Sequence, residues 1–181
     1  RQSWRLIQNP NSLCARVLKS KYYPKGDLLD TVFASAASQA WRGIEHCLEL
    51  LEKALIWRVG DGKNIQIQRD HWIPRREGLK TAAFIRRSRI RWVNQLMHPD
   101  KKEWNEELIR QVFYPFDADE ICKIRIPASA VGDRVAWHHE KHGIFFVKSA
   151  YSFALKLKDS QDTFSQSSGE PEGERGIWEL I

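Results

Sequence analysis

Three short runs hold residue types that could do chemistry. His138, His139, Glu140 and His142 lie in the sequence HHEKH. Imidazoles and carboxylates are metal ligands, but the helical HExxH pattern that sets two histidines one turn apart is not present. No nearby Cys or His completes a tetrahedral set, so a solvated turn without metal is expected. Asp117, Asp119 and Glu120 bring three carboxylates close together. Two-metal phosphoryl transfer needs carboxylates converging from separate elements. These are local, and capping of a short helix accounts for them. Gly60-Asp61-Gly62 lacks the Gly-Lys-Ser/Thr of a phosphate loop and reads as turn chemistry. There is no Gly-x-Ser-x-Gly elbow and no assignable Cys/His dyad. The expectation is no catalytic residue, no metal ligand and no cofactor.

A fourth feature is electrostatic. Residues 75–91 carry seven basic side chains, Arg75, Arg76, Lys80, Arg86, Arg87, Arg89 and Arg91, against the single acid Glu77. That local excess equals the formal net charge of the whole chain, +6. Concentrated positive charge favours polyanions, RNA or DNA first among them. Ile85, Ile90, Trp92 and Val93 are interleaved with the arginines, and Trp92 is a candidate to stack on a base. The competing explanation is a solvated basic loop anchored through Trp92 and Val93.

The elements that position this segment follow from periodicity. Asn9-Pro10 is a helix start, with Leu13/Val17 and Cys14/Leu18/Tyr22 at helical spacing, stopped by Pro24 and Gly26. Ser38 caps a second helix whose inner stripe is Trp41, Ile44, Leu48, Leu51 and Leu55. Trp57/Val59 and Ile65/Ile67 alternate around the glycine turn, predicting a first β-hairpin closed by Trp72, Ile73 and Pro74. Asp100 and Glu103 resemble a capping box before Trp104, Leu108 and Val112. Pro115 closes that helix, and Asp117 with Glu120 opens another that ends before Pro127. Val135/Trp137 and Phe145/Val147 predict a second hairpin across residues 138–143. Ser149 then caps a helix carrying Phe153 and Leu157.

Residues 159–176 are rich in Ser, Gln, Gly, Glu and Pro and predict a disordered acidic linker. Ile177, Trp178, Leu180 and Ile181 restart an apolar pattern, read as the edge of a following module. The expected fold class is α+β, mainly helical, with two β-hairpins packed against short helices. The expected organisation is a helical part at 1–53, a connector domain at 54–158, the linker, and the start of another module at 177–181. The chain's 181 residues can bury a sizeable core, to which eight tryptophans contribute. Cys14, Cys47 and Cys122 have neither redox nor metal-knuckle spacing and read as reduced thiols of an intracellular protein. No secretory signal or membrane-length apolar run appears.

Four blocks carry a family resemblance: residues 4–24 (WRLIQNPNSLCARVLKSKYYP), 41–74, 104–127 and 136–151 (AWHHEKHGIFFVKSAY). Together they resemble the long open reading frames of plant non-LTR (LINE-type) retrotransposons, in the region between the reverse transcriptase core and the zinc-binding module. The last block is the most specific, with Trp and His, a Lys-x-Gly turn, then Phe-x-Val-Lys-Ser-Ala-Tyr. Gln68 and His71 depart from the usual Trp and Pro.

The resemblance implies a parent RNA-directed DNA polymerase, flanking polymerase and zinc-binding modules as partners, and a nuclear site of action. The family's Tyr-Ala-Asp-Asp-like motif and zinc ligands are not in this sequence, so no catalytic residue carries over. The expected role is a non-catalytic connector contacting RNA or DNA without sequence preference. The alternatives are an intramolecular packing or protein-interaction module, a relic without activity, or residual polymerase or nuclease action.

Overall fold

Three helix starts among the described residues are set by short side chains, Ser12, Ser38 and Asn105, that take up otherwise unpaired backbone N–H groups. The computed structural model describes residues 1–29, 37–75, 78–85, 88–129 and 131–167, with side chains described as far as residue 160. The chain divides into two units, Arg1–Ala54 with His139–Ile181, and Leu55–His138. The fold is mixed α+β, as expected.

In the first unit α1 spans Gln2–Gln8, α2 Leu13–Tyr22, α3 Gln39–Ala54 and α6 Val147–Ser167. Ser12 caps α2, its Oγ accepting the Ala15 N–H at 3.3 Å. Asn9 instead closes α1, donating its backbone N–H to Arg5 C=O. Only Ala15 of α2 is buried. Ser38 caps α3 as expected, accepting the Trp41 N–H, and Trp41, Leu48 and Leu51 form the buried stripe. Trp41 stacks on Tyr22 with centroids 4.2 Å apart, in a small core with Leu6, Ala15 and Tyr23. Trp4 stacks on Phe145 at 4.9 Å.

Val147 opens α6 rather than serving in a return strand, and Ser149 is inside the first turn, its hydroxyl donating to Phe146 C=O. Helix continues to Ser167, so residues 159–167 are helical. Extending an existing helix costs far less than nucleating one, which lets polar sequence join it. Residues 168–181 lie outside the described residues.

In the second unit β1 (Leu55–Arg58) and β2 (Arg134–Trp137) pair antiparallel, with Leu55 opposite Trp137 and Arg58 opposite Arg134. This corrects the two-hairpin expectation: each strand leaves its sequence neighbour and pairs with the other. The intended return strand of the first hairpin meets the basic segment. Ile67 N–H donates to Arg91 C=O and Val93 N–H to Ile65 C=O, at 3.0 and 3.1 Å, around a Gln66–Trp92 bridge. Alternation specifies which face of a strand is buried, and leaves the choice of neighbour open.

The glycine turn is occupied from a distance. Asp133 Oδ1 accepts from the N–H groups of Gly60 and Gly62, and Oδ2 from that of Asn64, all within 2.9 Å. Successive N–H groups aimed at one point make an anion-binding concavity, here filled by the chain's own carboxylate. Gly62 needs its missing side chain: φ is +69°, and a Cβ would sit 2.6 Å from Asn94 N.

A 3-10 turn at Val93–Leu96, α4 (Glu106–Val112) and α5 (Pro115–Lys123) complete the unit. Asn105, not Asp100, caps α4, accepting the Leu108 N–H at 3.1 Å. Val59, Ile65, Ile67, Trp72, Ile73, Val93, Leu96, Ile109, Val112, Phe113, Ala118 and Ile121 form its core. At about 1.5–3 kcal/mol for each large apolar side chain removed from water, this core dominates the unit's stability.

Candidate nucleic-acid interface

Residues 75–91 form no helix or strand among the described residues. The segment is nonetheless held at closely spaced points. Leu79 C=O accepts from both Trp72 and Ile73 N–H at 3.0 Å. Thr81 Oγ1 donates to Ile67 C=O. Phe84 meets Phe113 edge to face at 5.3 Å, and Ile85 N–H donates to Val112 C=O. Gln95 Oε1 accepts the N–H groups of Arg91 and Trp92 at 2.8 and 2.9 Å.

The central stake is Asp117, whose side chain has no solvent exposure. Its Oδ1 takes the Arg75 guanidinium at 2.7 Å and its Oδ2 the Ala82 N–H at 2.7 Å. Arg75 also donates to the carbonyls of Gly78 and Lys80. In the sequence Asp117 reads as a helix cap. Its partner is 42 residues away, and no local signal marks such a pair. The other two carboxylates of that run also meet cations, Asp119 with Arg110 and Glu120 with Lys123.

The nominated binding residues therefore separate. Arg75 is largely committed to Asp117, with 22% of its side chain exposed. Lys80, Arg89 and Arg91 are exposed and have no ion-pair partner among the described residues. Arg89 and Arg91 line an open groove of about 610 Å³ with Gln68, Phe84, Ile85, Ser88 and Ile90. Trp92 is half-buried at the end of the segment. Arg76, Arg86 and Arg87 lie outside the described residues.

Of the histidine run, His138 belongs to this unit. Burial holds its imidazole below the usual range; a hydrogen bond with the Arg75 backbone opposes this, and the charge of His71 adds to it. His139 packs against Phe153 in the other unit, centroids 4.3 Å apart. Among the described residues no group of three or more His, Cys, Asp or Glu is arranged to hold a metal ion. No helix there is long and apolar enough to cross a membrane.

The arrangement can attract and hold an anion, through three free cations on a staked loop. Among its described residues the hydroxyls of Thr81 and Ser88 bond to backbone groups, Thr81 to Ile67 C=O and Ser88 to Ile90 N–H. Two similar proteins come from Arabidopsis thaliana. One is an uncharacterized mitochondrial protein, 37% identical over 73 residues, covering 40% of this chain and 47% of the relative. The other is a provisionally named ribonuclease H protein, 28% identical over 162 residues, covering 82% of this chain and 25% of the relative. The chain thus spans about half the length of one relative and a quarter of the other. No protein-family model and no solved structure matches it.

Proposed function

We propose that this chain is a non-catalytic connector of a plant LINE-type reverse transcriptase-like polyprotein, contacting RNA or DNA through Lys80, Arg89 and Arg91. The observation that carries the reading is the free charge of these three residues on a loop pinned by Asp117 and the 65–67 pairing. Cations on a fixed loop lose less freedom when they meet phosphates than cations on a loose one. The sequence resemblance supplies the polyprotein context, and with it a nuclear site of action. The match to a relative with a ribonuclease H name is compatible with that context. Polymerase, zinc-binding and ribonuclease H chemistry is assigned to neighbouring modules of the parent. Arg76, Arg86 and Arg87 would add to the same charge.

The test is titration of the purified chain with RNA and single-stranded DNA across a salt series. Sequence-indifferent binding that weakens steeply with salt is the expected result. No binding at low salt would reject the reading.

A second reading, a module that packs against protein, is favoured by α6. Val147, Tyr151 and Leu155 recur every fourth residue there with exposures of 57%, 51% and 38%, an apolar stripe facing water.

A further inference from the structure

Tyr114 and Phe116 are large apolar side chains left in water at 43% and 55% exposure. Their rings are stacked, with centroids 5.9 Å apart and planes 11° from parallel. Neither belongs to the buried core of the unit. Their backbone is fixed. Pro115 locks φ between them as the first residue of α5, and Asp117, directly after Phe116, is tied to Arg75 and Ala82.

The pair adjoins the basic segment. Arg75 Cζ lies 5.8 Å from the Phe116 centroid, and the same guanidinium donates to the backbone of Lys80 at 2.7 Å. Lys80 is exposed. One ion pair, Arg75–Asp117, therefore holds both the cationic loop and the rings.

We propose that Tyr114 and Phe116 are a stacking platform for the bases of a single-stranded nucleic acid, with Lys80 on its phosphates. The inference rests on the nucleic-acid reading above and adds strand class and residues to it. Flat aromatic faces accept any base, because every base has a π-face. Exposed rings beside free positive charge match a ligand that carries flat rings and negative charge together. A duplex keeps its base faces covered and has nothing to lay on the rings.

The test compares the full chain with Tyr114→Leu/Phe116→Leu, which keeps apolar bulk and loses the flat faces. Both side chains are about half exposed, so the circular dichroism spectrum should not change and the thermal midpoint should fall only by what the ring pair and the Arg75–Phe116 contact contribute. Tyr114→Phe/Phe116→Tyr keeps the rings and serves as the rescue. The probes are oligothymidylate and an abasic oligodeoxynucleotide of the same length. The leucine variant should bind oligothymidylate roughly 5- to 100-fold more weakly. Its salt slope should not move, since neutral rings release no counterions. Both proteins should bind the abasic strand alike, and the ring-swapped variant should match the wild type.

Equal oligothymidylate affinity for wild type and leucine variant would overturn the platform while leaving nucleic-acid binding intact. Failure of the wild type to bind either probe at low salt would overturn the nucleic-acid reading itself.

Discussion

Arg75 Nη1 lies 2.7 Å from Asp117 Oδ1, and that carboxylate is fully shielded from solvent. The first cation of the basic segment is a structural tie between a loop and α5. Lys80, Arg89 and Arg91 are exposed and make no ion pair among the described residues. Stability and binding should therefore respond to different residues of one segment.

Breaking the tie should cost stability. Asp117→Ala leaves Arg75 Nη1 and the Ala82 N–H without their acceptors, and removing one partner of a buried pair costs about 3 kcal/mol. Urea denaturation should show a midpoint well below that of the wild type. An unchanged midpoint would mean that the pair contributes nothing net.

Removing the free cations should act on binding alone. Lys80→Gln, Arg89→Gln and Arg91→Gln together should lower the slope of log K against log salt by about 2 for a single strand. The urea midpoint should remain, because exposed charges without partners hold nothing together. A slope equal to that of the wild type would reject these side chains as the phosphate contacts.

The turn at Gly60 should depend on a residue far away in sequence. Asp133→Ala strips the acceptor from three backbone N–H groups. Hydrogen bonds to a charged acceptor are worth about 1.5–3 kcal/mol each, and neighbouring ones do not add fully, so a loss of about 2–4 kcal/mol is expected. Gly62→Ala should destabilise as well, through its positive φ and the approach of Asn94. Hydrogen exchange at Gly60, Gly62 and Asn64 should speed up in Asp133→Ala; unaltered protection would contradict this.

His138 should give the fold a dependence on mild acid. Its folded pKa is lowered by burial, so the unfolded chain takes up the proton first. The stability it contributes is present above about pH 6.5 and falls as the pH drops through that value toward the folded pKa. Denaturation midpoints measured from neutral to mildly acid pH should decline, and His138→Gln should flatten the decline.

Cys122 should be the slowest thiol. Burial pushes its pKa up, which leaves less thiolate to react. Cys14 and Cys47 are exposed. Timed alkylation followed by peptide mapping should label those two first. Early labelling of Cys122 would show that the α5 region opens readily.

Some of this protein was legible from its residues alone. Ser38 and the Trp41–Leu48–Leu51 stripe gave α3 its start and its buried face, because caps and helical periodicity act within a few residues. Pro115 marked the boundary between α4 and α5 for the same reason. The alternation of Trp57/Val59 and of Ile65/Ile67 marked extended chain, and Ile65 and Ile67 are fully buried. The charge of residues 75–91 was a matter of composition.

Pairing across long distances was decided only when the chain closed on itself. Leu55–Arg58 took Arg134–Trp137 as partner, Ile65–Ile67 took the end of the basic segment, and Asp133 filled the glycine turn. A strand's side-chain alternation is the same whichever neighbour it has, so local pattern could not choose. Asp117 and Asp133 look like ordinary polar residues in sequence. Burial beside Arg75 and convergence of backbone N–H groups on Asp133 turn them into the fold's anchors. Those contacts leave Lys80, Arg89 and Arg91 without an ion pair among the described residues, because the number of buried partners, and not the number of charges, fixes which cations are tied down.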